Sequence, residues 1–116
     1  MAITVYGIPN CDTVKKARTW LDAKGIAYTF HDYKKAGADA GKLAEWCAAA
    51  GLDKVLNRAG MTFRKLTDAE KAAAGDAAGA VALMVAQPSL IKRPIVAHPG
   101  GLLVGFREAD WAAALD

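Results

Sequence analysis

The chain has 116 residues, 53% of them hydrophobic, and 15 Lys and Arg against 12 Asp and Glu give it a net charge of +3. That is the size of one domain with enough apolar material for a core, and the mild, scattered positive charge, with no Lys/Arg run longer than two, argues against a nucleic-acid binder. The opening Met1-Ala2-Ile3-Thr4-Val5 carries no basic leader and no bilayer-length apolar stretch, so a cytoplasmic protein with no membrane partner is expected.

Ile3 to Tyr6 is a short β-prone run, and Gly7 to Asn10 holds the breakers that end it. From Cys11 onward Val14, Ala17 and Leu21 recur at helical spacing until Lys24-Gly25 supplies a stop. Ala27 to Tyr33 is aromatic and β-branched enough for a second strand. A β-α-β unit of this length is parallel and right-handed, and it puts the loop bearing Cys11 at the C-terminal edge of the first strand, where ligands of open α/β sheets bind.

From Lys34 the composition turns to Ala, Gly and charge. Asp39 is placed to cap a helix whose apolar positions include Leu43, Trp46, Cys47 and Ala50, ending at Gly51, and Leu52 to Asn57 adds a short helical turn. Thr67-Asp68-Ala69-Glu70 has capping-box spacing, so a further helix starts there. Gly75 and Asp76 interrupt it, and the Ala-rich stretch from Ala77 to Ala86 continues as far as Pro88. Residues 39 to 91 are thus expected to form a helical insertion within a single domain spanning 1 to 116. Pro94 to His98 and Leu102 to Phe106 read as a hairpin around Pro99-Gly100-Gly101, and Arg107 to Leu115 as a closing helix.

Cys11 stands at a helix N-terminus, where unpaired N–H groups and the positive end of the helix dipole favour a thiolate. Lys15 and Arg18 are expected on roughly the same helical face, adding positive charge. Cys47, on the apolar side of its helix between Trp46 and Ala48, reads as a small core residue. The two cysteines are too far apart for a C-x-x-C motif, and no structural disulfide is expected in a reducing compartment. His31 and His98 lack metal-ligand spacing, and Trp20, Trp46 and Trp111 fall on helices as packing residues, so no metal is expected. Taken alone, Arg93-Pro94 suits a trans strand start, although an X-Pro bond also tolerates cis.

The run Tyr6-Gly7-Ile8-Pro9-Asn10-Cys11-Asp12-Thr13, together with Phe63-Arg64-Lys65-Leu66 and Ile91-Lys92-Arg93-Pro94-Ile95, resembles the arsenate reductase/Spx superfamily of thioredoxin-like proteins, and within it the small YffB-like proteins. The resemblance implies an α/β (α+β) fold of thioredoxin/glutaredoxin type, β-α-β…β-β-α, with a four-stranded mixed sheet and a helical insertion. It implies Cys11 as catalytic residue and a cis Pro94 beside it, which brings Arg93 near the thiol, with Asn10 and Lys15 in support. Arsenate reductases of the superfamily surround their Cys with three arginines. Arg93 and Arg107 match two of them, and the third falls at Ala59 or is shifted to Arg58. These enzymes also carry a His where this chain has Gly7, which leaves arsenate itself an open substrate.

The implied activity is that of a thiol-dependent reductase acting on an oxyanion or a disulfide. With no second Cys in the active loop, glutathione is the expected co-substrate and glutaredoxin a possible partner; no bound cofactor is expected, and the chain is expected to be a monomer. Spx proteins of the same superfamily supply the alternative, a regulator that binds RNA polymerase without enzymatic activity. They sense oxidants through a C-x-x-C pair, and Cys11-Asp12-Thr13-Val14 lacks its second member.

Overall fold

In the computed structural model, which describes residues 3–115, the elements follow in the order β1 (Thr4–Gly7), α1 (Asp12–Ala23), β2 (Thr29–Asp32), α2 (Tyr33–Ala36), α3 (Ala40–Ala50), α4 (Leu52–Val55), α5 (Met61–Arg64), α6 (Asp68–Ala73), α7 (Ala77–Ala86), a 3₁₀ turn at Pro88–Leu90, β3 (Ile95–His98), β4 (Gly101–Val104) and α8 (Glu108–Leu115). They divide between two compact units, one from both ends of the chain (Met1–Ala36 and Arg93–Asp116), the other from Gly37–Lys92.

The first unit holds a mixed sheet in the order β2-β1-β3-β4, with β1 and β2 parallel and the other neighbours antiparallel. Because side chains alternate along each strand, the register lays two rows across it. Phe30, Val5, Val96 and Leu103 share one face, and His31, Tyr6, Ile95 and Val104 share the other. The first row forms the core with Ala17 and Leu21 of α1 and Trp111 of α8, flanked by Trp20 and Phe106. The rings of Trp20, Phe106 and Trp111 meet edge-on, as their quadrupoles prefer. The buried indole N–H of Trp111 donates to the Gly105 carbonyl at 3.0 Å, so no polar atom of that ring is stranded. This is the four-stranded thioredoxin-like arrangement that the sequence implies.

Several ends differ from expectation. The first strand is displaced by one residue, to Thr4–Gly7, and the second covers only Thr29–Asp32. The Asp32 carboxylate accepts the Lys34 N–H at 2.8 Å, which turns the chain out of the sheet and makes Tyr33 the start of α2 instead of the end of a strand. The fourth strand stops at Val104, because Gly105 adopts φ +78°, a left-handed conformation open to glycine. The last helix begins at Glu108, with Arg107 just outside it lending its carbonyl to the Trp111 N–H.

In the second unit α3 packs on α7, burying Leu43, Trp46 and Cys47 from the one and Ala80 and Met84 from the other. The anticipated caps are made. Asp39 accepts from the Lys42 N–H, and Thr67 and Glu70 satisfy one another's backbone donors in a full capping box. Asp76 accepts from the Gly79 N–H and restarts the helix after the Gly75 break. The turns α5 and Pro88–Leu90 were not foreseen. Among the described residues no helix is long and apolar enough to cross a membrane.

Candidate functional site

Strand β1 ends at Gly7, and the loop Ile8-Pro9-Asn10 folds back so that the Cys11 N–H donates to the Ile8 carbonyl at 3.3 Å. Cys11 then occupies the N-cap position of α1 in an extended conformation, φ −95° and ψ 126°, with its carbonyl accepting the Lys15 N–H at 2.9 Å. Its side chain makes no capping hydrogen bond. The sulfur is therefore uncommitted beside the first-turn N–H groups, which have no intrahelical acceptor and carry the positive end of the dipole. Cys11 is half-buried, whereas Val14, one turn on, is completely buried and anchors the helix start against the strand.

Which residues share this end of the sheet follows from the register. Since Tyr6 pairs with Ile95, Pro94 falls level with Gly7, and the Gly105 N–H donates to the Pro94 carbonyl at 2.8 Å. Since Gly7 pairs with Asp32, Tyr33 leaves β2 at the same level on the other side. The C-terminal ends of β1, β2 and β4 and the N-terminal end of β3 thus bring Cys11, Tyr33, Arg93, Pro94 and Arg107 to one edge of the first unit. The Arg93-Pro94 bond is cis. Among the described residues no side-chain hydrogen bond or ion pair holds the guanidinium of Arg93, which is half-buried, or of Arg107, which is exposed. Asn10 and Lys15 are exposed, the one in the loop and the other in the first turn of α1.

Three other residues singled out in the sequence have surroundings of their own. Arg18 does not lend its charge to Cys11. Its guanidinium lies 4.2 Å from the centre of the Phe30 ring, and its Nε donates to the Tyr28 hydroxyl at 3.1 Å, because that face of α1 looks onto the β2 side of the sheet. Arg58 belongs to the second unit. There it pairs with Asp53 at 3.2 Å, donates to the Ala74 carbonyl at 3.3 Å and stacks over the Phe63 ring. Cys47 is buried at 8% exposure, and burial pushes its thiol up, away from the thiolate.

Tyr33 is the residue at this edge that pattern reading left out. It is only 3% exposed, and its hydroxyl has no hydrogen-bond partner among the described residues. An unmade bond of this kind costs about 1–3 kcal/mol. The ring stacks on Tyr6, centroids 6.3 Å apart, and meets His31 edge-on at 5.6 Å. Burial pushes the phenol far above its usual range, Tyr6 adds to this, and the positive charge of Arg93 opposes it. Its only sequence signal was an aromatic residue just before Lys34-Lys35.

The chain is similar to several proteins over nearly its whole length. The structure of the YffB (PA3664) protein superposes with a TM-score of 0.95 at 56% identity, covering 98% of this chain and 99% of that one. The solution structure of an arsenate reductase (ArsC) related protein from Brucella melitensis gives 0.76 at 52% identity, over 97% and 93% of the two chains. The global transcriptional regulator Spx of Streptococcus agalactiae is 25% identical across 97% of this chain and 82% of its own. The sequence profile of the ArsC family matches residues 6–114, from the strand that leads into the Cys11 loop to the end of the last helix, and the chain belongs to that family.

Proposed function

We propose that this protein is a thiol-dependent reductase in which Cys11 is the nucleophile and glutathione the co-substrate. The observation that carries the reading is the placement of the Cys11 side chain at the N-terminus of a three-turn helix, half-buried and capping nothing, on the sheet edge that also bears Arg93 and Arg107. Membership of the ArsC family supports it. On a glutathionylated substrate, the Cys11 thiolate attacks the glutathione sulfur of the disulfide, forms a Cys11–glutathione disulfide and releases the substrate thiolate, which takes up a proton. A second glutathione thiolate then attacks the glutathione sulfur of that adduct, giving glutathione disulfide and restoring Cys11. Net, the mixed disulfide is reduced to the substrate thiol and one free glutathione is consumed, leaving with the substrate-borne glutathione as glutathione disulfide. Glutaredoxin is the partner that would accept the adduct in place of free glutathione. On an oxyanion, Arg93 and Arg107 would provide the planar donor forks, with Asn10, Lys15 and Pro94 shaping the surroundings.

The test is turnover by the purified protein with glutathione, against arsenate and against a glutathionylated peptide, beside Cys11→Ser. Turnover of either substrate that vanishes in Cys11→Ser is expected; equal inertness of both proteins towards both substrates refutes the reading.

The similarity to Spx favours a second reading, a regulator that docks on RNA polymerase. The absence of a second Cys in Cys11-Asp12-Thr13-Val14 sets this chain apart from a C-x-x-C switch. Co-purification of RNA polymerase with a protein that lacks turnover would establish that role.

A further inference from the structure

We infer that Tyr33 and Arg93 form a two-donor seat for an anionic oxygen of the ligand, on either side of the strand end that leads to Cys11. The inference deepens the reductase reading and rests on it for the identity of the ligand, but not for the existence of the seat.

Three observations converge. Strands β2 and β3 flank β1, and the register sets Tyr33, which follows Asp32, and Arg93, which precedes Pro94, on opposite sides of Gly7. Neighbouring strands are about 4.8 Å apart, so the two backbones are separated by roughly 10 Å, a span that a phenol and a guanidinium reaching inward can close around one small group. Next, the Tyr33 hydroxyl is enclosed without a partner although its ring is packed on Tyr6 and His31. Nearly all buried polar atoms are hydrogen-bonded, so an orphan in an otherwise well-packed aromatic cluster marks a place where an acceptor belongs. Finally, the guanidinium of Arg93 is unpaired among the described residues, and its positive charge opposes the upward push on the Tyr33 phenol.

The chemistry of the pair selects the ligand. Arg93 can only donate, and the phenol, held neutral by burial, offers its proton throughout the physiological range. A neutral oxygen can accept from such donors, as the Tyr28 hydroxyl does from Arg18, but an oxygen bearing negative charge accepts from both in charge-assisted bonds roughly twice as strong. The ligand group is thus a carboxylate or an oxyanion. It could come from glutathione, which carries carboxylates, or from an inorganic oxyanion substrate. The hydroxyl is enclosed in this state, so the anion must displace what covers it, and formation of the missing hydrogen bond offsets part of that cost.

The experiment measures binding without chemistry, by calorimetry and ring-proton NMR on full-length Cys11→Ser with inorganic phosphate, with S-methylglutathione and with the diethyl ester of S-methylglutathione. Tyr33→Phe, made in the same background, keeps the ring and removes only the hydroxyl. The expected result is about tenfold or greater weakening of phosphate or S-methylglutathione binding, at an unchanged or higher melting midpoint. Loss confined to phosphate identifies an inorganic oxyanion as the source. Loss confined to S-methylglutathione, with the diester binding equally weakly to both proteins, identifies the peptide carboxylate. Arg93→Gln should weaken the same ligand, and the double variant should lose less than the product of the two single effects. The inference is overturned by affinities within twofold of the parent for both probes, by no binding of either at tens of millimolar, or by a loss of affinity that comes with a lower melting midpoint. Because the binding assay does without Cys11, the two readings separate: binding that depends on Tyr33, beside a wild type that turns nothing over, keeps the seat and loses the reductase reading; turnover by wild type, with no effect of Tyr33→Phe on binding, does the reverse.

Discussion

A β-carbon added to Gly7 would lie 2.9 Å from Cγ2 of Val14, closer than side chains tolerate. Val14 is fully buried and β-branched, so it has no easy rotamer to retreat to. The helix that presents Cys11 can approach the strand end this closely only because position 7 has no side chain.

Gly7→Ala should therefore destabilise the protein by about 1–3 kcal/mol through overpacking. The double variant Gly7→Ala/Val14→Ala should lose less than the sum of the two single losses, because each change makes room for the other. Urea melts of the four proteins decide it. Strict additivity would show that position 7 tolerates a side chain without reference to Val14.

Within the helical unit, the equivalent close approach is at Gly79, where an added β-carbon would collide with the Ala73 carbonyl oxygen. That oxygen is backbone at the end of α6 and cannot rotate away. Gly79→Ala should cost at least about 2 kcal/mol; Gly41→Ala should cost less, because there the added carbon meets only the Asp39 carboxylate at 3.2 Å, which need give by a few tenths of an ångström while it caps Lys42, and both changes gain the same helix propensity. Comparable melting midpoints for the two variants would contradict the collision.

Features of the chain that depend on local chemistry were legible. Pro9 and Asn10 ending a β-prone run, with Val14, Ala17 and Leu21 in phase behind them, placed Cys11 at a helix start, and Asp39, Thr67 and Glu70 announced caps that are all made. What depends on partners distant in sequence was not. Arg18 read as a neighbour of the thiol because helical spacing says nothing of the Phe30 ring that holds it. The bond from Arg58 to the Ala74 carbonyl, sixteen residues on, had no signal in the sequence. Tyr33 looked like one more strand aromatic, since an unpaired hydroxyl is a property of its surroundings and not of its type.

Tyr33 also gives the protein a pH signature. Its phenol is held protonated in the folded state by burial, while in the unfolded chain it ionises at its ordinary value of 10.0. Below pH 10 both states carry the proton and stability is insensitive to it. Above that the unfolded state sheds the proton and the native state keeps it, so stability falls as pH rises, by up to about 1.4 kcal/mol per unit. Wild type should lose stability between pH 10 and pH 11 more steeply than Tyr33→Phe, with the difference between their denaturant midpoints reading this one group. Parallel curves would mean that the phenol ionises in the folded protein as freely as in the unfolded one.

The two thiols should part company under oxidation. Cys47 is buried and its thiol is pushed up by that burial, so it is protonated and screened at neutral pH. Cys11 is half-buried and its sulfur caps nothing, so reagents and disulfides can reach it. Iodoacetamide at neutral pH should therefore label Cys11 at least about tenfold faster than Cys47 in the native protein, and the difference should disappear in denaturant. Mild oxidation with glutathione disulfide should leave one glutathione on Cys11 and none on Cys47, as peptide mass spectrometry would read directly. The adduct should be removed by glutathione with glutaredoxin, which closes a monothiol cycle. An intramolecular disulfide needs the two Cα atoms within about 7 Å. A Cys11–Cys47 disulfide as the main product would replace the monothiol cycle with a two-thiol one, in which Cys47 and not glutathione resolves the oxidised enzyme.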